Sequence, residues 1–241
     1  MNQLRQNNMK RLFFIAAALL VALTVSAQEI VSSDTTVNNR IPSWRIGVQG
    51  GYAYRLGRVD KSMDQVLVDH TEKMKNGFGF SADATWYFMQ SLGVGIKYDA
   101  HFASNGEYVT VTYDDGTQES GQMKENVNVW FLGPMVSYRA LSRNMRHAFI
   151  MNLGAGYIGY KDNMMLIDPF IIKGASAGYL YELGYDFNIS KNIAVGAMLT
   201  MISGSLHSYK TDASGSWEKV SLDEAQNLSH IGLSVGIRFN L

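Results

Sequence analysis

The chain has 241 residues, of which 46% are hydrophobic, 12% aromatic and 17% charged; 21 basic and 21 acidic residues cancel, and there is no cysteine. A balanced charge gives nucleic acid no electrostatic footing. The lack of cysteine removes disulfides and the thiolate zinc motifs from consideration.

The first element is MNQLRQNNMKR followed by LFFIAAALLVALTV and SAQ: a cationic segment, a short apolar core and small residues at a cleavage pattern. Residues 1–27 therefore read as a signal peptide cut near Ala27. Their removal takes away Arg5, Lys10 and Arg11 and no acids, leaving 18 basic against 21 acidic residues in the exported chain. Residues 28–43, QEIVSSDTTVNNRIPS, are polar and aperiodic and read as a flexible periplasmic lead-in.

From residue 44 the chain alternates large apolar side chains with small or polar ones. In 44–56, Trp44, Ile46, Val48, Tyr52 and Tyr54 oppose Arg45, Gly47, Gln49, Gly51 and Arg55. The same period runs through 78–88, 92–102, 126–139, 147–160, 175–188, 193–203 and 229–241, which makes eight strands. The fourth breaks phase: Val127, Val129 and Phe131 hold one parity, Val136 and Tyr138 the other, so a β-bulge is expected at Gly133-Pro134.

Connections alternate in length, with long gaps at 57–77, 104–125, 161–174 and 204–228 and short ones at 89–91, 140–146 and 189–192. Short turns on one side and long loops on the other are the mark of an outer-membrane barrel, which places the short turns in the periplasm. The second long gap alternates around Asp115-Gly116, as a hairpin projecting from strands three and four or as an added pair in a ten-stranded barrel. Mean hydropathy, −0.08, does not detect such a fold, because only alternate residues of a 9–11-residue strand face lipid.

A soluble sandwich also alternates. Against it stand the glycine, serine and alanine on the face opposite the large residues, which suit a narrow lumen, and the aromatics gathered toward strand ends. The fold class is thus all-β: a closed antiparallel transmembrane barrel over 44–241, with eight strands and ten as the alternative.

The inward parity sends Arg45, Arg55, Asp83, Lys97, Asp99, His101, Glu182, Asp186 and Arg238 into the lumen. Asp83 and Lys97 lie symmetrically about residue 90 and should pair across strands, and Asp186 is the expected partner of Arg238. Buried charges demand partners, so these residues form either a self-satisfied plug or the lining of a narrow pore. GAGYIG at 154–159 matches a dinucleotide string but sits inside a strand. His207-Ser208 evokes lipid-modifying outer-membrane enzymes without their surrounding motif and reads as a loop pair. Loop acids lack calcium-loop spacing, so no metal or cofactor is expected, and no catalytic residue. MMLIDPFII at 164–172 is an unusually apolar outer segment, suited to packing over the barrel mouth, entering the outer leaflet or docking a partner.

These strands, the turn GYDFNISKN leading into IAVGAML, and the terminal GLSVGIRFNL resemble the OmpA-type eight-stranded outer-membrane barrels of the porin-family "outer membrane protein β-barrel domain" branch, over residues 44–241. The resemblance implies a Gram-negative outer-membrane protein, monomeric, surrounded by outer-membrane lipid and lipopolysaccharide. It also implies insertion by the barrel-assembly machinery, whose signal matches Phe239 and Leu241. Phe239 is not the last residue, so which of the two anchors recognition stays open. The functions this implies are envelope integrity or surface interaction through the outer loops. The alternatives are a small pore or OmpW-like conduit and, behind that, a lipid-modifying enzyme.

Overall fold

Period-two alternation becomes hydrogen-bonded strand wherever a neighbour can take the backbone groups. The computed structural model describes residues 42–57, 65–112, 117–166 and 168–241. It contains β1 (Trp44–Arg55), α1 (Gln65–Lys73), β2 (Asn76–Tyr87), β3 (Leu92–Thr112), β4 (Gln118–Leu141), β5 (His147–Leu166), β6 (Asp168–Asn188), β7 (Ile193–Thr211), β8 (Glu218–Asn227) and β9 (His230–Asn240). The expected signal peptide, all but the end of the lead-in, and the Asp115-Gly116 turn lie outside the described residues.

Eight strands close a ring, each antiparallel to the next: β1 through β7 in order, then β9, which pairs with both β7 and β1. No sheet edge is left at membrane level, as backbone in hydrocarbon requires. The ring has eight strands, not ten, because the second long gap extends β3 and β4 as one continuous hairpin. The last gap adds β8, which the alternation did not signal and which, among the described residues, pairs with the outer end of β7 alone.

The tilt follows from the register. From Tyr54 the ladder leads to Ile231, Met201, Tyr181, Leu153, Val136, Val94, Trp86 and back to β1 at Trp44. The displacement of ten residues is the shear of the barrel, which for eight strands sets a tilt of about 40°. Trp44 and Tyr54 face outward in two aromatic belts, and ten tilted residues separate those belts by roughly 25 Å, the height of a barrel's apolar band. The outward face is apolar and open, with Val48, Ile96, Leu183 and Val235 all exposed. Burying these side chains is the work of lipid.

The expected bulge is absent. Leu132 pairs with Tyr157 and Met135 with Gly154, so no residue is gained across Gly133-Pro134. The proline interrupts the ladder without shifting it. Val127, Val129 and Phe131 therefore point inward, where all three are buried. They join Met135, Ile158, Leu180, Ile202, Leu206 and Leu228 in an apolar core inside the outer half of the barrel.

β1, β2 and β9 end near membrane level, while β3 to β8 continue as a six-stranded wall. α1 stands beside the gap in that wall. Gln65 and Asp69 bond one turn apart at 2.7 Å, and Asn76 Nδ2 donates to the Glu72 carbonyl at 3.3 Å, supplying a partner at the helix end. The helix delivers Met74 into the apolar core and His70 to the inner wall.

Candidate functional site: a filled lumen

Inward positions on seven strands meet in one charged layer at the short-turn half. Arg45 on β1 donates from Nη1 to Asp83 Oδ2 on β2 at 2.7 Å and from Nε to Asp186 Oδ2 on β6 at 3.0 Å. Lys97 on β3 lies 2.7 Å from Glu182 on β6 and 3.7 Å from Asp83. Arg238 on β9 lies 3.5 Å from Asp186 and also donates to Gln49 Oε1. Arg45, Lys97 and Arg238 thus balance Asp83, Glu182 and Asp186.

Neutral groups complete the layer. Glu182 accepts from Asn152 at 2.8 Å and from Thr200 at 2.7 Å, and Gln49 donates to Ser81 at 2.8 Å. Room for the carboxylates comes from two glycines. A Cβ on Gly47 would stand 2.7 Å from Asp83 Oδ1, and one on Gly196 would overlap Asp186 Oδ1. The Arg45–Asp186 and Lys97–Glu182 bonds join strands three places apart around the ring, so they cross the lumen.

The ends are closed as well. Toward the short turns, the Arg139 guanidinium stacks 3.7 Å over the Tyr87 ring and donates to the carbonyls of Gln90 and Pro42. Toward the loops, Asp99 pairs with His230 at 2.9 Å beside a cavity of about 10 Å³, the size of one water. Above this rises the apolar core. The interior is therefore a stack: stacked arginine, ion layer, histidine level, hydrocarbon.

Three expected lumen residues fall outside the ion layer: Asp99, held by His230 at the level above it, Arg55 and His101. Arg55 is half-buried at the outer end of β1, 5.8 Å above the Tyr160 ring. His101 is buried with its ring 5.7 Å from that of His230. Arg139, His230, Gln49, Asn152 and Thr200 were not among the expected charges. Continuous parity along β4 and β9 marks Arg139 and His230 as inward. Phe239 and Leu241 face outward, and Leu241 exchanges backbone hydrogen bonds with Trp44 across the seam.

At the outer mouth a second polar cluster forms above the outer aromatic belt. His70 Nε2 lies 2.8 Å from Glu125 and Nδ1 lies 3.0 Å from Asn105, while Lys73 pairs with Glu107. Tyr160 donates to Asp162 at 3.1 Å. Burial first, and the neighbouring Glu125 charge second, raise the Asp162 carboxyl to about 7. Lys73 holds the half-buried Glu107 below the ordinary carboxylate range by a hydrogen bond.

The sequence motifs resolve simply. GAGYIG lies wholly within β5 with no helix after it, so the dinucleotide reading fails. His207 and Ser208 sit in the outward extension of β7, with His207 exposed. MMLIDPFII spans the tip of the β5–β6 hairpin, where Met164 pairs with Phe170 and Met165 with Pro169.

No family model matches the chain. A Haemophilus influenzae protein described as "Probable intermembrane transport protein" is 34% identical over 67 residues, which is 28% of this chain and 8% of that protein. The chain thus spans less than a tenth of the curated relative it matches. Among solved structures, a major outer membrane protein of Thermus thermophilus aligns with a TM-score of 0.52 and 13% identity, covering 82% of this chain and 99% of that one. Neisserial surface protein A aligns at 0.49 with 11% identity, covering 84% and 99%. At such identity the Thermus likeness bears on the fold alone. Fold and lumen together define a membrane-spanning, eight-stranded β-barrel whose interior is filled.

Proposed function

We propose that this protein is a closed, monomeric, non-enzymatic barrel of the outer membrane, exported by residues 1–27. Its role is structural and interactive: it spans the envelope and presents the β3–β8 wall outside. The observation that carries this reading is the lumen, where the Lys97–Glu182 and Arg45–Asp186 bonds cross the interior beneath an apolar core. A pore of either kind, aqueous or apolar, needs that stack to part. Planar-bilayer recording tests the proposal. The expected result is a flat baseline with protein shown to be folded by its heat-modifiable gel shift. Reproducible single-channel steps from that folded protein would overturn it in favour of the transport reading.

A further inference from the structure

The ladder that carries Phe102 on β3 continues to Asn128 on β4, and then meets four lysines in succession: Lys161 on β5, Lys173 on β6, Lys210 on β7 and Lys219 on β8. Each is directly opposite the next. Directly paired residues share a face of the sheet, and this face is the outer one, since Tyr160, Ile172 and Tyr209 beside them turn inward to the apolar core.

Like charges in direct cross-strand pairs repel. Here three such pairs follow one another, and none of the four lysines makes an ion pair among the described residues. The one contact is an aromatic one, with Lys173 Nζ 4.6 Å over the exposed Trp217 ring. Three strand spacings put four cations within roughly 15 Å.

Height decides what meets them. Because the strands tilt by about 40°, a ladder rises about 3 Å with each strand in the direction from β3 to β8. Starting from Phe102 in the outer aromatic belt, the lysines stand roughly 6 to 15 Å above it, in the headgroup zone and just beyond. A row of cations that faces sideways at that level, and climbs outward, is complementary to an anion that is anchored in the leaflet and also extends away from it.

We infer that Lys161, Lys173, Lys210 and Lys219 form a binding site for a phosphate-bearing glycolipid of the outer leaflet, with Trp217 placed to pack on a sugar ring. The inference rests on the outer-membrane reading above, which puts the long loops outside. Bound phosphates relieve the lysine repulsion, so the site and the fold support one another only in the right membrane.

The test uses the full chain in phosphatidylcholine nanodiscs, titrated with lipopolysaccharide, with dephosphorylated lipopolysaccharide and with heparin as a soluble polyanion. Lipopolysaccharide should bind at least about tenfold more tightly than its dephosphorylated form, and K161Q/K173Q/K210Q/K219Q should abolish that difference. The variant K210E, flanked by Lys173 and Lys219, should melt at a higher temperature than wild type in phosphatidylcholine while losing lipopolysaccharide affinity. Equal binding of the dephosphorylated lipid, unchanged affinity in the quadruple variant, or heparin bound as tightly as the lipid would each overturn the assignment. So would K210E losing stability in phosphatidylcholine. Loss of the heat-modifiable shift in wild type would instead sink the barrel reading on which the site depends.

Discussion

Lys97 Nζ lies 2.7 Å from Glu182 and 3.7 Å from Asp83, both carboxylates fully buried, so one ammonium ties β2, β3 and β6 across the lumen. A buried pair contributes little against an apolar substitute but is costly to break on one side. Lys97→Met should destabilise the folded barrel by about 3–5 kcal/mol, because it strands a carboxylate. Adding Glu182→Gln to it should recover more than half of that loss. Urea unfolding in lipid vesicles, followed by tryptophan fluorescence, checks both; a double variant no better than the single would mean that Lys97 acts by packing alone.

The two glycines beside the carboxylates predict a contrast. Gly47→Ala puts a methyl against Asp83 and the Arg238 stem, at 2.7 and 3.0 Å, and should lower the unfolding midpoint and the yield of heat-modifiable barrel. Gly232→Ala, whose Cβ would meet nothing nearer than 3.5 Å, should fold as wild type. Equal behaviour of the two would separate the glycine requirement from the ion layer.

Phe131 and Leu180 are fully buried in the apolar core. Either residue changed to Ala should cost about 3–5 kcal/mol in unfolding free energy. Neither should conduct in a planar bilayer, since the ion layer below remains closed. Phe131→Ala combined with Lys97→Met and Glu182→Gln is the variant in which current is first expected.

Asp162 makes the outer mouth sensitive to pH. Facing it are Glu125 from β4, Tyr160 on its own strand and Arg55 from β1, with His70 from α1 held on Glu125. Its folded pKa, about 7, is raised above the unfolded value of about 3.9, so the folded state holds this proton more tightly. The stability it lends is complete below about pH 4 and is lost as pH rises to 7. Asp162→Asn should therefore be stabilising at pH 8 and nearly neutral at pH 4, read as melting temperatures of the two proteins across that range.

Alternation alone was enough to write down eight strands, their lipid and lumen faces, and most of the ion layer, because in a barrel wall side-chain direction is set by parity from the first residue to the last. Asp83 opposite Lys97 is legible for the same reason: a three-residue turn leaves one register available. Arg45 with Asp186, by contrast, are 141 residues apart, and only closure at a shear of ten brings their strands to the same height. The bulge expected at Gly133-Pro134 does not form, because a proline that merely interrupts a ladder looks, in one dimension, like one that shifts it. α1 and β8 carry no strong period, and it is Met74 in the core and pairing with β7 that hold them. The lysine row lies beyond any reading of the chain in one dimension, since its members belong to four strands and become neighbours only through register. Local chemistry determined which way each side chain points; the pairing of distant strands decided what it meets there.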